Sequence, residues 1–265
     1  MSHDTAALLH LATSTAAQAA ALIVDGLSRA RTLVDTKTTG TDMVTEMDKA
    51  SEALILGRLT NERPDDAVLG EEGTDRPGST GVRWIVDPID GTTNYLYGHA
   101  GFAISIAAEI DGEMAIGVVH DPLHAEVFTA IRGEGAFRNG LPIHASAETK
   151  LSHALVATGF SYEPDRRQRQ AAVLGKIIGS VRDIRRMGAA SVDLCSVACG
   201  RVDAYYERGL QPWDHAAGAL IATEAGALVG NLTGGAPEFE FCLAAPPALF
   251  NDLRTLLIDA DAANA

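Results

Sequence analysis

A short apolar run, Trp84-Ile85-Val86, stops at two carboxylates three residues apart, Asp87 and Asp90, and the small hydroxyl-rich turn Gly91-Thr92-Thr93 follows at once. This order predicts a strand that ends in acids and a turn that opens a helix. Two readings are open. The acids can hold divalent metals while the N–H groups of the turn cradle a phosphate. The plainer alternative is a strand ending in an Asx-Pro turn. The choice between them depends on whether other segments bring further ligands.

Several segments offer them. Ala67-Val68-Leu69 is again a short apolar run, and it ends in Gly70-Glu71-Glu72-Gly73. The predicted strand Asp203-Ala204-Tyr205-Tyr206-Glu207 precedes Pro212-Trp213-Asp214-His215, where Asp214 stands at a helix start and reads first as an N-cap. Thr45-Glu46-Met47-Asp48 reads as a capping box that opens a helix running to about Leu59. Singly, each acid has a structural explanation: a solvated loop for Glu71 and Glu72, a cap for Asp48 and Asp214. As a set, Glu71, Asp87, Asp90 and Asp214 fall at strand-to-helix junctions, where open α/β sheets place their chemistry. Acids brought together repel unless cations neutralise them or some stay protonated. Oxygen ligands without a nearby Cys or His pair favour a hard ion such as Mg²⁺ over Zn²⁺.

Hydrophobic periodicity divides the chain into halves at about Lys150, 1–150 and 151–265. The first half opens with an amphipathic helix over Thr5–Ser28. Its later part is a meander of antiparallel strands: Phe102–Ile110 and Met114–Val119 flank the hairpin signal Asp111-Gly112-Glu113, and His124–Ile131 adds a third strand. The second half alternates strand and helix from Ala154 to Gly230, a rhythm that implies crossover units and parallel pairs. A strand near Glu240–Ala244, a helix over Pro247–Ile258 and a frayed tail from Asp259 complete the reading.

Charge and cysteine content narrow the function classes. With 21 Lys and Arg against 35 Asp and Glu, the 265-residue chain carries a formal charge of −14, which argues against a nucleic-acid partner. Three cysteines without a CxxC spacing argue for a reducing compartment, and Cys195 and Cys199, four apart, read as core residues on one helix face. The start carries His3 and Asp4 in place of a basic region, so no signal peptide is expected. No stretch reads as approaching the roughly 20 apolar residues of a membrane span. A cytoplasmic protein without a membrane partner is the expectation.

The blocks Gly70-Glu71-Glu72, Trp84 to Asn94 and Trp213-Asp214-His215-Ala216-Ala217-Gly218 resemble those of the inositol monophosphatases, whose superfamily includes fructose-1,6-bisphosphatases and bisphosphate nucleotidases. Lys37, Thr41 to Asp48, Gly188 to Ser191 and Asp203 to Glu207 fit the same pattern, so the resemblance spans nearly the whole chain in family order. It implies an α+β fold, a layered α-β-α-β-α sandwich with an antiparallel sheet in the first half, a mixed sheet in the second, and the site in the cleft between.

The resemblance also implies roles. Two to three Mg²⁺ ions would be held by Glu71, Asp87, the Ile89 carbonyl, Asp90 and Asp214, with Asp87 bridging two of them and Lys37 near a third, water-rich site. Asp48 and Thr92, with Glu71, would serve catalysis by orienting and deprotonating an attacking water. Gly91 and Thr92 would bind phosphate. Asp90, Gly188, Ala190 and Glu207 would contact substrate hydroxyls. The sequence departs from the common family pattern at Ala189, often Ser or Thr, and at Ser191, often Ala. The implied activity is Mg²⁺-dependent, Li⁺-sensitive hydrolysis of small phosphorylated polyols, myo-inositol monophosphate first, by a homodimer. Fructose-1,6-bisphosphatase, histidinol-phosphate phosphatase and adenosine 3′,5′-bisphosphate nucleotidase activities are the enzymatic alternatives, and a regulatory protein retaining the fold is the non-enzymatic one.

Overall fold

The computed structural model describes residues 3–27, 34–36 and 43–265. Its elements in chain order are α1 (Thr5–Gly26), β1 (Val34–Thr36), β2 (Met43–Thr45), α2 (Glu46–Glu62), β3 (Ala67–Gly70), β4 (Asp75–Arg76), β5 (Val82–Asp90), α3 (Thr92–Tyr97), β6 (Ala103–Ile110), β7 (Glu113–Asp121), β8 (Glu126–Ile131), β9 (Ala136–Arg138) and β10 (Leu141–Pro142). They continue as β11 (Leu155–Thr158), α4 (Pro164–Ile177), β12 (Asp183–Arg185), α5 (Ala190–Ala198), β13 (Ala204–Glu207), α6 (Pro212–Glu224), β14 (Leu228–Gly230), β15 (Cys242–Ala245) and α7 (Pro247–Asp259).

Five layers stack in the order α-β-α-β-α, as the resemblance implies. Helices α1 and α2 cover one face of an eight-stranded sheet ordered β10-β9-β8-β7-β6-β5-β3-β4, and α5 and α6 cover its other face. The same α5 and α6 pack on a five-stranded sheet ordered β12-β11-β13-β15-β14, whose outer face carries α4 and α7. The expected antiparallel meander is present, with one parallel pair, β3 with β5. The second sheet is mixed: β12, β11 and β13 run parallel, and β15 is antiparallel to β13 and β14.

Because β5 has helices on both faces, its side chains are buried almost without interruption. Trp84 and Val86 join the core under α1 and α2, whereas Ile85 joins the core around α5 and α6. Trp84 also makes a buried polar contact, its Nε1 donating to Asp66 Oδ2 at 3.0 Å. Cys195 and Cys242 lie in the central core and Cys199 packs against it, as the spacing suggested for the first and third of that set.

Two expectations need correction. Helix α1 is 22 residues long and by length and composition alone passes as long and apolar enough to cross a membrane, so such a stretch does exist. What seats it here is a buried stripe of Leu8, Ala12, Ala16, Ala19 and Ile23 against the large sheet. The tail after Asp259 is not frayed: Ala262 and Ala265 are buried, and the carbonyl oxygens of Ala260, Asn264 and Ala265 accept from Lys176, Arg169 and Arg208. Alanine-rich tails look dispensable in sequence, but small side chains let carbonyls approach long cationic ones.

Candidate active site

The acids converge because of a defect in β5. Along a regular strand, residues three apart point to opposite faces, so Asp87 and Asp90 should diverge. Here Asp87 pairs with Ser105 but Asp90 with Ala103, a register shift that leaves one more residue on β5 than on β6. Pro88 stands inside it; it has no N–H for the ladder, which suits it to a bulge. The extra residue returns both carboxylates to one side. The Ile89 N–H donates to Asp87 Oδ1 at 3.0 Å and fixes the bend.

Helix α2 fastens the same point from below. Ser51 Oγ donates to the Pro88 carbonyl at 3.0 Å, and Thr92 Oγ1 lies 3.1 Å from both Asp48 Oδ1 and the Ile89 carbonyl oxygen. Asp48 is only 1% exposed and touches the site through Thr92. Its expected capping partner Thr45 has a side chain outside the described residues, as do Thr41, Asp42 and Lys37 in full. Gly91, with φ 88°, makes the turn into α3, and a Cβ there would meet the Gly101 carbonyl oxygen at 2.8 Å. No other residue type fits that turn without strain.

Glu71 follows β3, tied to β5 by its N–H to the Val86 carbonyl at 3.2 Å. Buried Glu52 braces this loop, accepting from the Glu72 N–H at 2.9 Å and Thr74 Oγ1 at 2.7 Å. From the far half of the chain comes Asp214. It is not the N-cap of α6 but its third residue, where Oδ2 accepts from the Gln211 N–H at 2.6 Å in a reciprocal capping box. Ser105 Oγ, opposite Asp87 in the ladder, donates to the Trp213 carbonyl at 3.3 Å and holds that first turn against the sheet.

Carboxylate oxygens of Asp87, Asp90 and Asp214 thus come within 4.8 Å of one another. Among the described residues, no lysine or arginine forms an ion pair with any of the three. Burial first, then the charges of Glu71, Asp90 and Asp214, push Asp87 well above the ordinary carboxylate range. Asp214 is raised well above it too, by burial and then by Asp90 and Glu71. Burial raises Asp90 to about 6 against hydrogen bonds that Ser191 donates from its N–H at 2.7 Å and its Oγ at 2.5 Å. Neighbouring His215 supplies no compensating charge, because burial pushes it down to about 4 and its Nδ1 has no partner. Clustered oxygens without an ion-pair partner among the described residues, and without a sulfur or imidazole donor among them, fit a hard divalent cation.

The site opens into a cavity of about 420 Å³ lined by Glu71, Asp87, Ile89, Asp90, Gly91, Thr92, Gly188, Ala190, Glu207 and Asp214. Among the described residues, every expected site residue except Asp48 therefore lines one space. Glu207 is not a solvated strand end: it accepts from Tyr205 Oη at 2.7 Å, and burial raises it to about 7. It lies so close to Gly159 that a Cβ at that glycine would overlap its carboxylate. Sequence reasoning missed Asp193, Tyr162, Arg166 and Arg186. Asp193 is raised well above the usual range by burial and by Glu207 and Asp90, and neither of its oxygens has a hydrogen-bond partner. Its signal was an acid inside Val192-Asp193-Leu194-Cys195, a helix with no polar face.

The chain is similar to known proteins over most of its length. A family model described as the inositol monophosphatase family matches residues 4–259. A Mycobacterium tuberculosis protein (strain ATCC 25618 / H37Rv) named inositol-1-monophosphatase SuhB is 42% identical over 277 residues, covering 96% of this chain and 94% of its own. Nus factor SuhB of Pasteurella multocida (strain Pm70) is 40% identical over 230 residues, 86% of each chain. The solved structure of extragenic suppressor protein suhB from Bartonella henselae matches with a TM-score of 0.90 at 36% identity, covering 95% of this chain and 98% of that one.

Proposed function

The chain belongs to the inositol monophosphatase family, and from that premise we propose that it is a Mg²⁺-dependent phosphomonoesterase of small phosphorylated polyols, with myo-inositol monophosphate as first substrate. The observation that carries the reading is the convergence of Asp87, Asp90 and Asp214 to within 4.8 Å, with no ion pair to any of the three among the described residues. Glu71 and the Ile89 carbonyl complete the proposed ligand set, for two to three ions. When bound, the ions offset charge on the phosphate and on the departing oxygen.

The residues of the chain divide the remaining work. The Thr92 hydroxyl and the buried Asp48 carboxylate, 3.1 Å apart, are placed to orient a water and accept its proton. The N–H groups of Gly91 and Thr92, at the entry to α3, are free of β5's ladder and are assigned to phosphate oxygens. Glu207, Asp90 and the Gly188–Ala190 turn are assigned to hydroxyls of the leaving alcohol. Glu207 is held ready by Tyr205, so little order is lost on binding. Residues 1–150 and 151–265 are read as two halves that share this cleft. Family membership is also the ground for including a homodimer, a cytoplasmic location and inhibition by Li⁺ in the proposal.

The test is phosphate release from a panel of inositol, sugar, histidinol and nucleotide phosphates, with and without Mg²⁺. Metal-dependent release that Asp87→Asn and Asp214→Asn abolish is the expected result. Release from no member of the panel sinks the enzyme reading. It would then favour the second one, a regulatory protein that keeps the fold, for which the Pasteurella relative named a Nus factor is the supporting observation.

A further inference from the structure

The segment assigned to the leaving alcohol is pinned at both ends to the stretch that carries the phosphate turn. At its far end, Ser191 donates its N–H and its Oγ to Asp90. At its near end, the side chain of Asn94 on α3 reaches across 93 positions of sequence, and its Nδ2 donates to the Met187 carbonyl at 2.7 Å. The same nitrogen donates to the Gly101 carbonyl, also at 2.7 Å. Only Gly188, Ala189 and Ala190 lie between the two anchors.

Backbone contact closes what the anchors leave open. A Cβ placed on Gly91 would stand 3.1 Å from Ala189 Cβ and 3.3 Å from the Gly188 carbonyl oxygen, so the two turns touch. Gly188, at φ 94°, meets the same constraint from the other side, since a Cβ there would lie 3.1 Å from Asn94 Nδ2.

A neutral amide suits this place. Its nitrogen carries two hydrogens and no charge, so one atom satisfies two carbonyls without setting an ion beside the phosphate turn. Asn139 shows the local use of the same side chain: its Oδ1 accepts from the Val127 N–H at 2.8 Å and its Nδ2 donates to the Ala125 carbonyl at 3.0 Å, beside the strands it joins. Asn94 instead ties residues of the first half of the chain to the second. The two anchors also differ from each other. Ser191 holds a proposed metal ligand, whereas Asn94 spends both amide hydrogens on Gly101 and Met187 and has none left for a metal ligand or for substrate.

We propose that Asn94 is a positioning residue for substrate choice. It sets the span between the phosphate turn and the 188–190 segment, and so decides which phosphorylated alcohols can place a hydroxyl against that segment while the phosphate is seated. This rests on the phosphomonoesterase reading and deepens it, because a side chain that touches no reacting atom then governs the alcohol end of the site.

Two ligands separate the ends of the site. Inorganic phosphate, the product common to every substrate, reports the phosphate turn alone, and the ester with the highest kcat/KM in the panel reports both ends. With the Mg²⁺-loaded protein, Asn94→Ala is expected to raise KM for that ester by about tenfold while the inhibition constant of inorganic phosphate stays within about threefold of the parent's. Asn94→Ser, which keeps one donor, should show a smaller rise with the same split. Thermal unfolding checks each fold, and Asn94→Ser carries the test if Asn94→Ala does not fold. An inhibition constant that rises in step with KM overturns the inference, since Asn94 would then support the phosphate turn and not the alcohol end. An unchanged KM overturns it too. No turnover of any panel member by the parent overturns the phosphatase reading and this inference with it.

Discussion

Asp66 and Asp87 are equally inaccessible, each 1% exposed, yet their electrostatics are opposite. Burial pushes Asp66 upward, but hydrogen bonds from Arg63, Thr80 and Trp84, together with the Arg63 charge, outweigh it and leave the carboxyl below its ordinary range. Its oxygens accept from Arg63 Nε at 2.8 Å, Thr80 Oγ1 at 2.6 Å and Trp84 Nε1 at 3.0 Å. Asp87 has one backbone donor and three acidic neighbours, and it is raised. A buried acid whose partners come from its own protein is a structural part; one whose neighbours repel it is incomplete by itself. The difference lies in the partners, not in the depth.

The strongest way to break the comparison is to neutralise each acid in turn. Asp87→Asn is expected to lower Mg²⁺-dependent kcat/KM by at least ~100-fold while raising the thermal midpoint of the metal-free protein, because it removes like-charge repulsion. Asp66→Asn should do the reverse: turnover per folded molecule is kept, and urea unfolding shows a loss of about 2–3 kcal/mol as Arg63 and Trp84 lose their acceptor. An Asp87→Asn protein less stable than its parent without metal would refute the idea that the cluster is held under repulsion.

The same contrast sets a pH dependence. Asp90 and Glu207 have folded values raised to about 6 and about 7, so the folded state holds their protons longer than the unfolded chain does. Metal-free stability therefore falls as pH rises from about 4 through 7, as protons leave the folded site. Asp66 and His215, both lowered, contribute the other way: Asp66 loses its contribution on acidification, and His215, held neutral down to about 4, gains stability as pH rises to its unfolded value and offsets part of the loss. Thermal melts in a chelator are expected to drop by roughly 5 °C between pH 5 and pH 7.5, and saturating Mg²⁺ should flatten that slope. A chelated protein whose midpoint rises over this interval contradicts the assignment.

Ser191 gives the smallest effect. Ser191→Ala removes the Oγ bond to Asp90 but keeps the backbone one, so the Mg²⁺ concentration for half-maximal activity should rise by up to about tenfold with kcat little changed. An unchanged metal requirement would show that the backbone N–H alone orients Asp90.

Chain-local signals and the family resemblance carried different parts of the reading. Asp87, Asp90, Glu71 and Asp214 were legible because each stands where an apolar run ends or a helix starts, the two halves because the rhythm of strand and helix changes, and the five layers only through the resemblance. The bulge was not legible, since a register shift exists only relative to β6, and Pro88 alone does not say whether a strand stops or bends. Asp214 reads as an N-cap because capping preferences are shared by neighbouring positions; Gln211 takes that place and Asp214 answers it from the third residue. Ser191 was visible as a departure from the family pattern, but its partner is 101 residues away. Arg166 and Arg186 gave no pattern in sequence, and the one signal of Asp193, an acid inside a buried helix, does not say which groups fail to meet it.

The middle layer has a consequence for how the molecule assembles. Helices α5 and α6 belong to the later part of the chain yet lie against the large sheet built by the earlier part, and α6 carries Asp214 to Asp87 and Asp90. Loop closure over such a span is slow compared with forming the meander's hairpins. On the proposed metal assignment, Mg²⁺ sensitivity during refolding would be a clock for one event, the docking of α6, and should set in after most strand signal has returned. Ions added earlier would find Asp87 and Asp90 in place without Asp214.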